Sequence, residues 1–112
     1  MEQVERLQLY FQILSDVNRL CIIKFIGHEE RAVSEIVKAM DLSQPLVSHH
    51  LKTLKNSNIL DTKRAGPFIY YKLKDTRFLD LLGLFEDILP NEGVPDAMPM
   101  FCCPNWWKKF SC

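Results

Sequence analysis

The hydrophobic positions at the start of the chain recur every three or four residues, which is typical of one face of a helix. This spacing predicts a first helix over residues 2–14. A second helix is expected after Asp16, whose carboxylate can cap it, and is expected to end at Gly27. The apolar positions that define these two helices are Leu7, Tyr10, Phe11, Leu14, Leu20, Ile23 and Ile26.

Two further helices are predicted close together along the chain. Ser34 is expected to cap a short helix over residues 35–40. After a turn at residues 41–42, Ser43 is expected to cap a helix that ends near Asn56. Pro45 falls in the first turn of that helix, where a missing N–H costs little. Two short helices joined by a tight turn predict a helix-turn-helix motif.

The hydrophobic period changes to two after residue 58. Residues 59–73 alternate and are rich in β-forming side chains on either side of the Gly66-Pro67 dipeptide, which predicts a β-hairpin. A fifth helix is expected over residues 76–89, where Pro90 ends it. The expected fold is therefore mainly α with a small β-hairpin (α+β).

The last part of the chain differs from the rest in composition. Four of the six prolines fall at or after residue 90, so residues 91–112 are not expected to form a long helix. This segment is too aromatic for a typical disordered tail, because its large side chains favour contact with a surface. We therefore expect one domain over residues 1–90 and a separate C-terminal tail with Met98, Met100, Phe101, Trp106, Trp107 and Phe110.

The charge is distributed unevenly, although the formal net charge is zero. Residues 43–74 carry six basic residues against one acidic residue, a balance of +5, whereas residues 75–100 carry one basic residue against six acidic ones. The positive charge lies on the predicted fourth helix and hairpin. A local concentration of this kind is typical of nucleic-acid contact even when the whole chain is neutral.

A helical projection of residues 43–56 separates two faces. Val47, His50, Leu51 and Leu54 share one face, and Gln44, Ser48, Lys52 and Lys55 share the other, with His49 beside them. Amide, hydroxyl, imidazole and ammonium groups can meet base edges and phosphates in the major groove. Taken alone, the same face would also suit an ordinary solvated helix. Adjacent histidines point about 100° apart on a helix, so His49 and His50 are poorly placed to chelate one ion.

Three segments carry a resemblance to a known family: LSDVNRLCIIKFI, VSEIVKAMDLSQPLVSHHLKTLKNSNIL and KRAGPFIYYKL. Together they resemble the winged-helix repressors of the arsenic-repressor (ArsR/SmtB) family over about residues 14–73. The resemblance implies a winged helix-turn-helix homodimer on double-stranded DNA with an inverted-repeat operator, and release of the DNA when an inducer binds. It implies DNA contacts from Gln44, Ser48, His49 and Lys52, and from Lys63 and Arg64 in the wing. Lys55 shares the polar face of the helix and is expected to contact DNA as well. It places His50 further inward, where packing and a capping hydrogen bond are favoured over DNA contact.

The first and fifth helices carry apolar stripes that are too extensive to stay exposed on a small domain. The resemblance implies that these helices meet at a dimer interface. The residues expected at that interface, or in the core beside it, are Leu7, Tyr10, Leu14, Leu79, Leu82 and Phe85.

The candidate sensing residues are the cysteines of the tail, Cys102, Cys103 and Cys112. Three thiolates suit soft centres such as As(III), Sb(III), Pb(II), Cd(II) or Hg(II), and Lys108 and Lys109 would favour the thiolate form. Some arsenite-responsive members of the family carry a similar tail. The resemblance implies two other places for metal ligands, a cysteine pair in the third helix and an Asp/His set in the fifth. Neither is expected here, because the third helix has no cysteine and the fifth has no histidine. Cys21 is expected on a less apolar face of the second helix and is a weaker candidate ligand.

Several other functions remain open from the sequence. The tail cysteines could sense thiol redox state or be small apolar residues only, and the tail aromatics could bind an apolar small molecule. A thiol protein that sequesters a soft metal, with a protein-binding winged helix, is a further alternative, although the basic segment disfavours it. No catalytic constellation, membrane-spanning run or signal-peptide layout is found, which predicts a cytoplasmic protein that is not an enzyme and needs no cofactor to bind DNA.

Overall fold

The computed structural model describes residues 2–89, which form five helices and a three-stranded antiparallel sheet with the strand order β1-β3-β2. The predicted tail over residues 91–112, with its three cysteines, lies outside the described residues. The helices are α1 (Gln3–Leu14), α2 (Val17–Ile26), α3 (Val33–Met40), α4 (Gln44–Asn56) and α5 (Arg77–Ile88), and the strands are β1 (Arg31–Ala32), β2 (Leu60–Ala65) and β3 (Phe68–Leu73).

The core is built around α2, which packs against α1, α3, α4 and β3. Because neighbours surround it, α2 buries side chains on most of its circumference, and Cys21, Ile22, Ile23 and Ile26 are all inaccessible or nearly so. The expectation that Cys21 occupies a less apolar face was therefore wrong. The residue lies within the hydrophobic core beside Ile22 and Ile23.

The start of α3 also differs from the prediction. The helix begins at Val33 with Ala32 as its N-cap, and Ser34 is an exposed residue of the first turn rather than the cap. The backbone N–H of Ala32 donates to the Glu35 carboxylate at 3.3 Å, so a side chain three residues along satisfies the helix start. Arg31 and Ala32 pair with Tyr71 and Tyr70 of β3, forming a short strand that the sequence pattern did not predict.

The hairpin has the predicted position and is closed by a two-residue turn. Ala65 pairs with Phe68, which leaves Gly66 and Pro67 as the turn. Gly66 has a φ of 62°, a left-handed conformation that glycine adopts without steric cost. Within residues 2–89 no helix is long and apolar enough to cross a membrane.

Candidate nucleic-acid interface

The turn between α3 and α4 is fixed by local backbone chemistry. Asp41 ends α3 in a left-handed conformation with a φ of 53°. Ser43 then caps α4, and its hydroxyl accepts the backbone N–H of Leu46 at 3.4 Å, while Pro45 lies in the first turn. These features confirm the predicted helix-turn-helix and set the angle at which α4 leaves α3.

The two faces of α4 are as predicted. Val47, His50, Leu51 and Leu54 are buried, and they fix the helix against the core. The predicted DNA-contacting side chains are all exposed: Gln44, Ser48, His49, Lys52 and Lys55. Gln44, Ser48, Lys52 and Lys55 fall within a narrow stripe along the helix, and His49 lies to one side of it. A helix held by one face therefore presents donors and positive charge on the other.

His50 ties α4 to the junction between α1 and α2. Its Nδ1 accepts a hydrogen bond from Nε of Arg19 at 3.3 Å, and a terminal nitrogen of the same guanidinium donates to the carbonyl of Ile13 at 3.3 Å. Asp16 caps α2 through the backbone N–H groups of Asn18 and Arg19. The predicted packing role of His50 is confirmed, but its hydrogen bond goes to a side chain rather than to a helix cap.

Burial lowers the pKa of His50 below its ordinary value of 6.5, and the charges of Arg19 and His49 lower it further against the opposing effect of Asp16. The Arg19 hydrogen bond requires an unprotonated Nδ1, which agrees with a neutral ring. Nε2 of His50 is buried, and no hydrogen-bond partner for it exists among residues 2–89. The exposed His49 ring lies 5.8 Å away, centroid to centroid.

A second side-chain hydrogen bond connects the C-terminal end of α4 to α1. The hydroxyl of Tyr10, on α1, donates to the carbonyl of Ser57 at 2.8 Å. Ser57 is the C-cap of α4, and its own hydroxyl donates to the carbonyl of Thr53 at 2.8 Å. The middle and the end of α4 are thus connected to α1 and α2 by side-chain hydrogen bonds that the sequence pattern did not reveal.

The pleat of the wing hairpin separates the two basic residues predicted to act together. Residues opposite each other across an antiparallel pair share a sheet face, and faces alternate along a strand. Arg64 is opposite Ile69, on the same face as the buried pair Leu60 and Leu73. Lys63 is opposite Tyr70 on the outer face, where its ammonium lies 4.0 Å from the Glu30 carboxylate.

A cleft of about 490 Å³ runs between α3, the N-terminal half of α4 and the wing. Gln44 and Ser48 line one side, and Ile69 and Tyr71 line the other. Burial raises the pKa of the Tyr71 hydroxyl, so it remains a neutral donor. Since Arg64 shares the sheet face of Ile69 and Tyr71, it lies on the side of the wing that faces α4.

A second surface, on α1 and α5, exposes large apolar side chains. Of the predicted dimer residues, Leu7 and Phe85 are exposed, whereas Tyr10, Leu14, Leu79 and Leu82 are half-buried against the core. Further exposed apolar residues, which were not predicted at a dimer interface, are Val4, Phe11, Leu81, Leu84, Ile88 and Leu89. The α1–α5 face, as we name these exposed residues with Leu7 and Phe85, includes an edge-to-face contact between Phe11 and Phe85 at 6.1 Å.

A groove of about 360 Å³ lies within this region, between α1, α2 and α5. Its walls are almost entirely apolar, and the ion pair between Lys24 and Glu86 lies at its edge. No group of three or more His, Cys, Asp or Glu side chains that could hold a metal ion exists within residues 2–89. The predicted ligands Cys102, Cys103 and Cys112 lie outside that range and stay a prediction.

Comparison with known proteins agrees with this geometry. The sequence profile of the bacterial regulatory protein arsR family matches residues 16–62. The cadmium resistance transcriptional regulatory protein CadC of Listeria innocua is 40% identical over 76 residues, which span 67% of this chain and 64% of that protein. A probable mercury resistance operon repressor of Streptomyces lividans is 32% identical, over 84% of this chain and 72% of that protein.

The fold itself matches solved structures. The crystal structure of NolR from Sinorhizobium fredii superimposes with a TM-score of 0.70 at 28% identity, and the match covers 77% of this chain and 86% of that one. The helix-turn-helix, the wing and the sequence matches therefore lead to one conclusion: this chain belongs to the ArsR/SmtB family of winged helix-turn-helix transcriptional regulators.

Proposed function

We propose that this protein is a homodimeric transcriptional repressor that leaves its operator when a soft metal or metalloid ion binds the tail cysteines Cys102, Cys103 and Cys112. The observation that carries the DNA-binding part is the exposed stripe of Gln44, Ser48 and Lys52 on a helix whose other face is fixed in the core. Fixing one face of α4 fixes where those side chains lie, as direct readout of bases requires.

The chemistry of α4 and the wing suits two kinds of DNA contact. Gln44 can form a bidentate pair with adenine, and Ser48 can pair with several base edges in the major groove. Lys52 and Lys55, with Arg64 from the wing, can neutralise phosphates and so set the register of the protein on the duplex. The unequal positions of Arg64 and Lys63 lead us to assign the main wing contact to Arg64.

Dimer formation is supported by the α1–α5 face. The exposed side chains on these two helices include large residues such as Leu7, Leu84 and Ile88. Contiguous apolar surface of this kind on a small domain indicates an interaction site, and a two-fold contact through it would present two copies of α4 to an inverted repeat.

Soft-ion sensing is supported by thiolate chemistry and by the relatives named for cadmium and mercury resistance. The ion can release DNA only if it binds the DNA-incompetent arrangement more tightly. The hydrogen bonds from Tyr10 to Ser57 and from Arg19 to His50 provide a physical connection from α1 and α2 to α4. A tenfold loss of DNA affinity requires coupling of about 1.4 kcal/mol.

The test is a titration of the reduced protein with arsenite, antimonite, Pb(II), Cd(II), Hg(II) and Zn(II). Thiolate-to-metal absorbance and release of labelled operator DNA are followed in the same sample. We expect soft ions to bind at about one per chain, Zn(II) to be a poor inducer, and Cys102→Ser, Cys103→Ser or Cys112→Ser to abolish release without weakening DNA binding.

Cys21→Ala is the matched control, because Cys21 is buried in the core and is not among the proposed ligands. This variant should still release DNA. Release that survives all three tail substitutions would contradict the proposed sensor. If none of these ions releases DNA from the parent protein, an apolar inducer bound in the groove between α1, α2 and α5 becomes the favoured explanation, since that groove is lined by Phe11, Leu82 and Phe85.

A further inference from the structure

The tip of the wing is apolar, which is unexpected on the side of the molecule proposed to bind a polyanion. Arg64 is the last charged residue before the turn, and residues 65–71 carry no charge. Phe68 is 54% exposed and Ile69 is 42% exposed, directly after Pro67. The sequence thus places large apolar side chains where a simple phosphate-binding wing would carry lysine or arginine.

The tip is also held in a defined shape. The Gly66–Pro67 turn closes the hairpin tightly, and proline fixes one of its backbone dihedrals. The Phe68 ring packs on Tyr70 of the same sheet face, with 6.4 Å between ring centroids. An exposed aromatic side chain on a rigid turn loses little further entropy when it binds.

The cleft between α4 and the wing defines what the tip can reach. Gln44 and Ser48 line one wall, and Pro67, Phe68 and Ile69 line the other. If α4 occupies the major groove, the next features along the duplex are one sugar–phosphate strand and then the minor groove. That sugar–phosphate strand would then lie in the cleft, next to Arg64 on the cleft-facing side of the sheet. The wing tip would reach the minor groove beyond it.

We infer that the apolar wing tip, chiefly Phe68 with Pro67 and Ile69, wedges into the minor groove beside each half-site and makes binding depend on how easily the DNA there deforms. This inference rests on the proposed DNA-binding function. Apolar wedges of this kind partly unstack a base step and kink the duplex towards the major groove. The energetic cost is lowest at flexible pyrimidine–purine steps, so the wing would select TA or CA/TG steps without hydrogen bonds to bases.

The experiment uses the full chain and the DNA upstream of its own coding sequence. One duplex carries donor and acceptor dyes at its ends to report bending, and a second carries 2-aminopurine in the flank to report unstacking. The variants are Phe68→Ala, the conservative Phe68→Leu, and Lys72→Ala as a control on the same outer sheet face at the base of the hairpin. Circular dichroism verifies folding, which the exposed position of Phe68 should leave intact.

We expect Phe68→Ala to lose DNA bending and the 2-aminopurine signal and to bind roughly tenfold more weakly with an unchanged salt slope. Phe68→Leu should retain most of the bend, and Lys72→Ala should bend DNA as the parent does. Replacing the flanking flexible steps with a rigid A-tract should weaken the parent more than Phe68→Ala. Parent-like bending and affinity in Phe68→Ala would overturn the wedge alone, whereas a parent that shows no salt-dependent DNA binding would overturn the proposed function as well.

Discussion

Two surfaces of this molecule differ in how completely a single chain buries their apolar side chains. On one side, α4 buries Val47, Leu51 and Leu54 and presents polar side chains at positions fixed by that packing. On the other side, α5 buries none of its residues fully and exposes large apolar ones. The apolar face of α4 is fully packed within one chain. The large apolar side chains of α5 stay exposed in a single chain and can be buried only by another surface. A single chain therefore completes the packing beneath the proposed DNA-binding surface but leaves the α1–α5 face, the proposed dimer contact, exposed.

The largest effect is expected from charging the α1–α5 face. Leu84 is 57% exposed, so Leu84→Glu should leave the fold of each chain intact while placing a desolvated carboxylate in the proposed dimer interface. We expect a monomer in equilibrium sedimentation and a loss of operator affinity of about a hundredfold or more. Asp87→Lys, an exposed charge change on the same helix, is the control and should remain dimeric. A dimeric Leu84→Glu protein would place the interface elsewhere.

The two faces of α4 can be separated with adjacent residues. Leu51 is fully buried, so Leu51→Ala should lower the free energy of unfolding by about 2–5 kcal/mol. Lys52 is exposed, and Lys52→Ala should leave that free energy almost unchanged while weakening DNA binding. Urea unfolding and DNA titration of both variants check this division. It fails if Lys52→Ala unfolds as readily as Leu51→Ala.

Local sequence patterns predict the elements that are specified by their own residues, and they fail for features that depend on neighbouring elements. Ser43, Pro45 and the apolar spacing that follows specify α4 within a dozen residues, so its position and its two faces were predictable. The strand Arg31–Ala32 is too short for any periodicity, and it exists because β3 lies beside it. Cys21 is buried because four elements surround α2, which no property of residues 17–26 alone specifies.

The separation of Lys63 from Arg64 is an intermediate case. Strict alternation along β2 puts neighbouring residues on opposite faces, so this signal was present in the sequence. Which face turns towards α4 depends on the burial of Leu60 and Leu73, and this requires the fold. The hydrogen bonds from Tyr10 and Arg19 join residues 47 and 31 positions apart, and a local sequence pattern contains no information about such distant pairs.

The hydrogen bond between Tyr10 and the C-cap of α4 should contribute less to stability than the core packing of Leu51. Tyr10→Phe removes the hydroxyl that donates to the Ser57 carbonyl and leaves the ring in place. We expect a loss of about 1 kcal/mol in the free energy of unfolding, measured by urea denaturation. If this tie connects α1 to α4, operator affinity should also fall. Tyr70→Phe, on the outer face of the wing, is the matched control for removal of a tyrosine hydroxyl.

The smallest expected effect is a pH dependence from His50. Because its pKa is lowered in the folded state, the unfolded chain binds the proton more readily as the pH falls below 6.5. The stability contribution is therefore fully present above that pH and is lost as the pH falls through the folded pKa. We expect His50→Gln to flatten the fall in melting temperature between about pH 7 and pH 5, the range in which a histidine of ordinary or lowered pKa titrates. The exposed His49→Gln variant is the control. If it flattens the fall in melting temperature equally, the pH dependence does not come specifically from His50.

The central claim is that α4 and the cleft-facing side of the wing form the DNA-binding surface. The most direct measurement is the dependence of operator affinity on salt concentration for the parent, Arg64→Ala and Lys63→Ala. Each lost phosphate contact reduces the slope of log affinity against log salt by roughly one unit. We predict this reduction for Arg64→Ala and little change for Lys63→Ala, because Lys63 lies on the outer face near Glu30. Equal slopes in all three proteins, or a larger reduction for Lys63→Ala, would contradict the assignment of the DNA-binding surface.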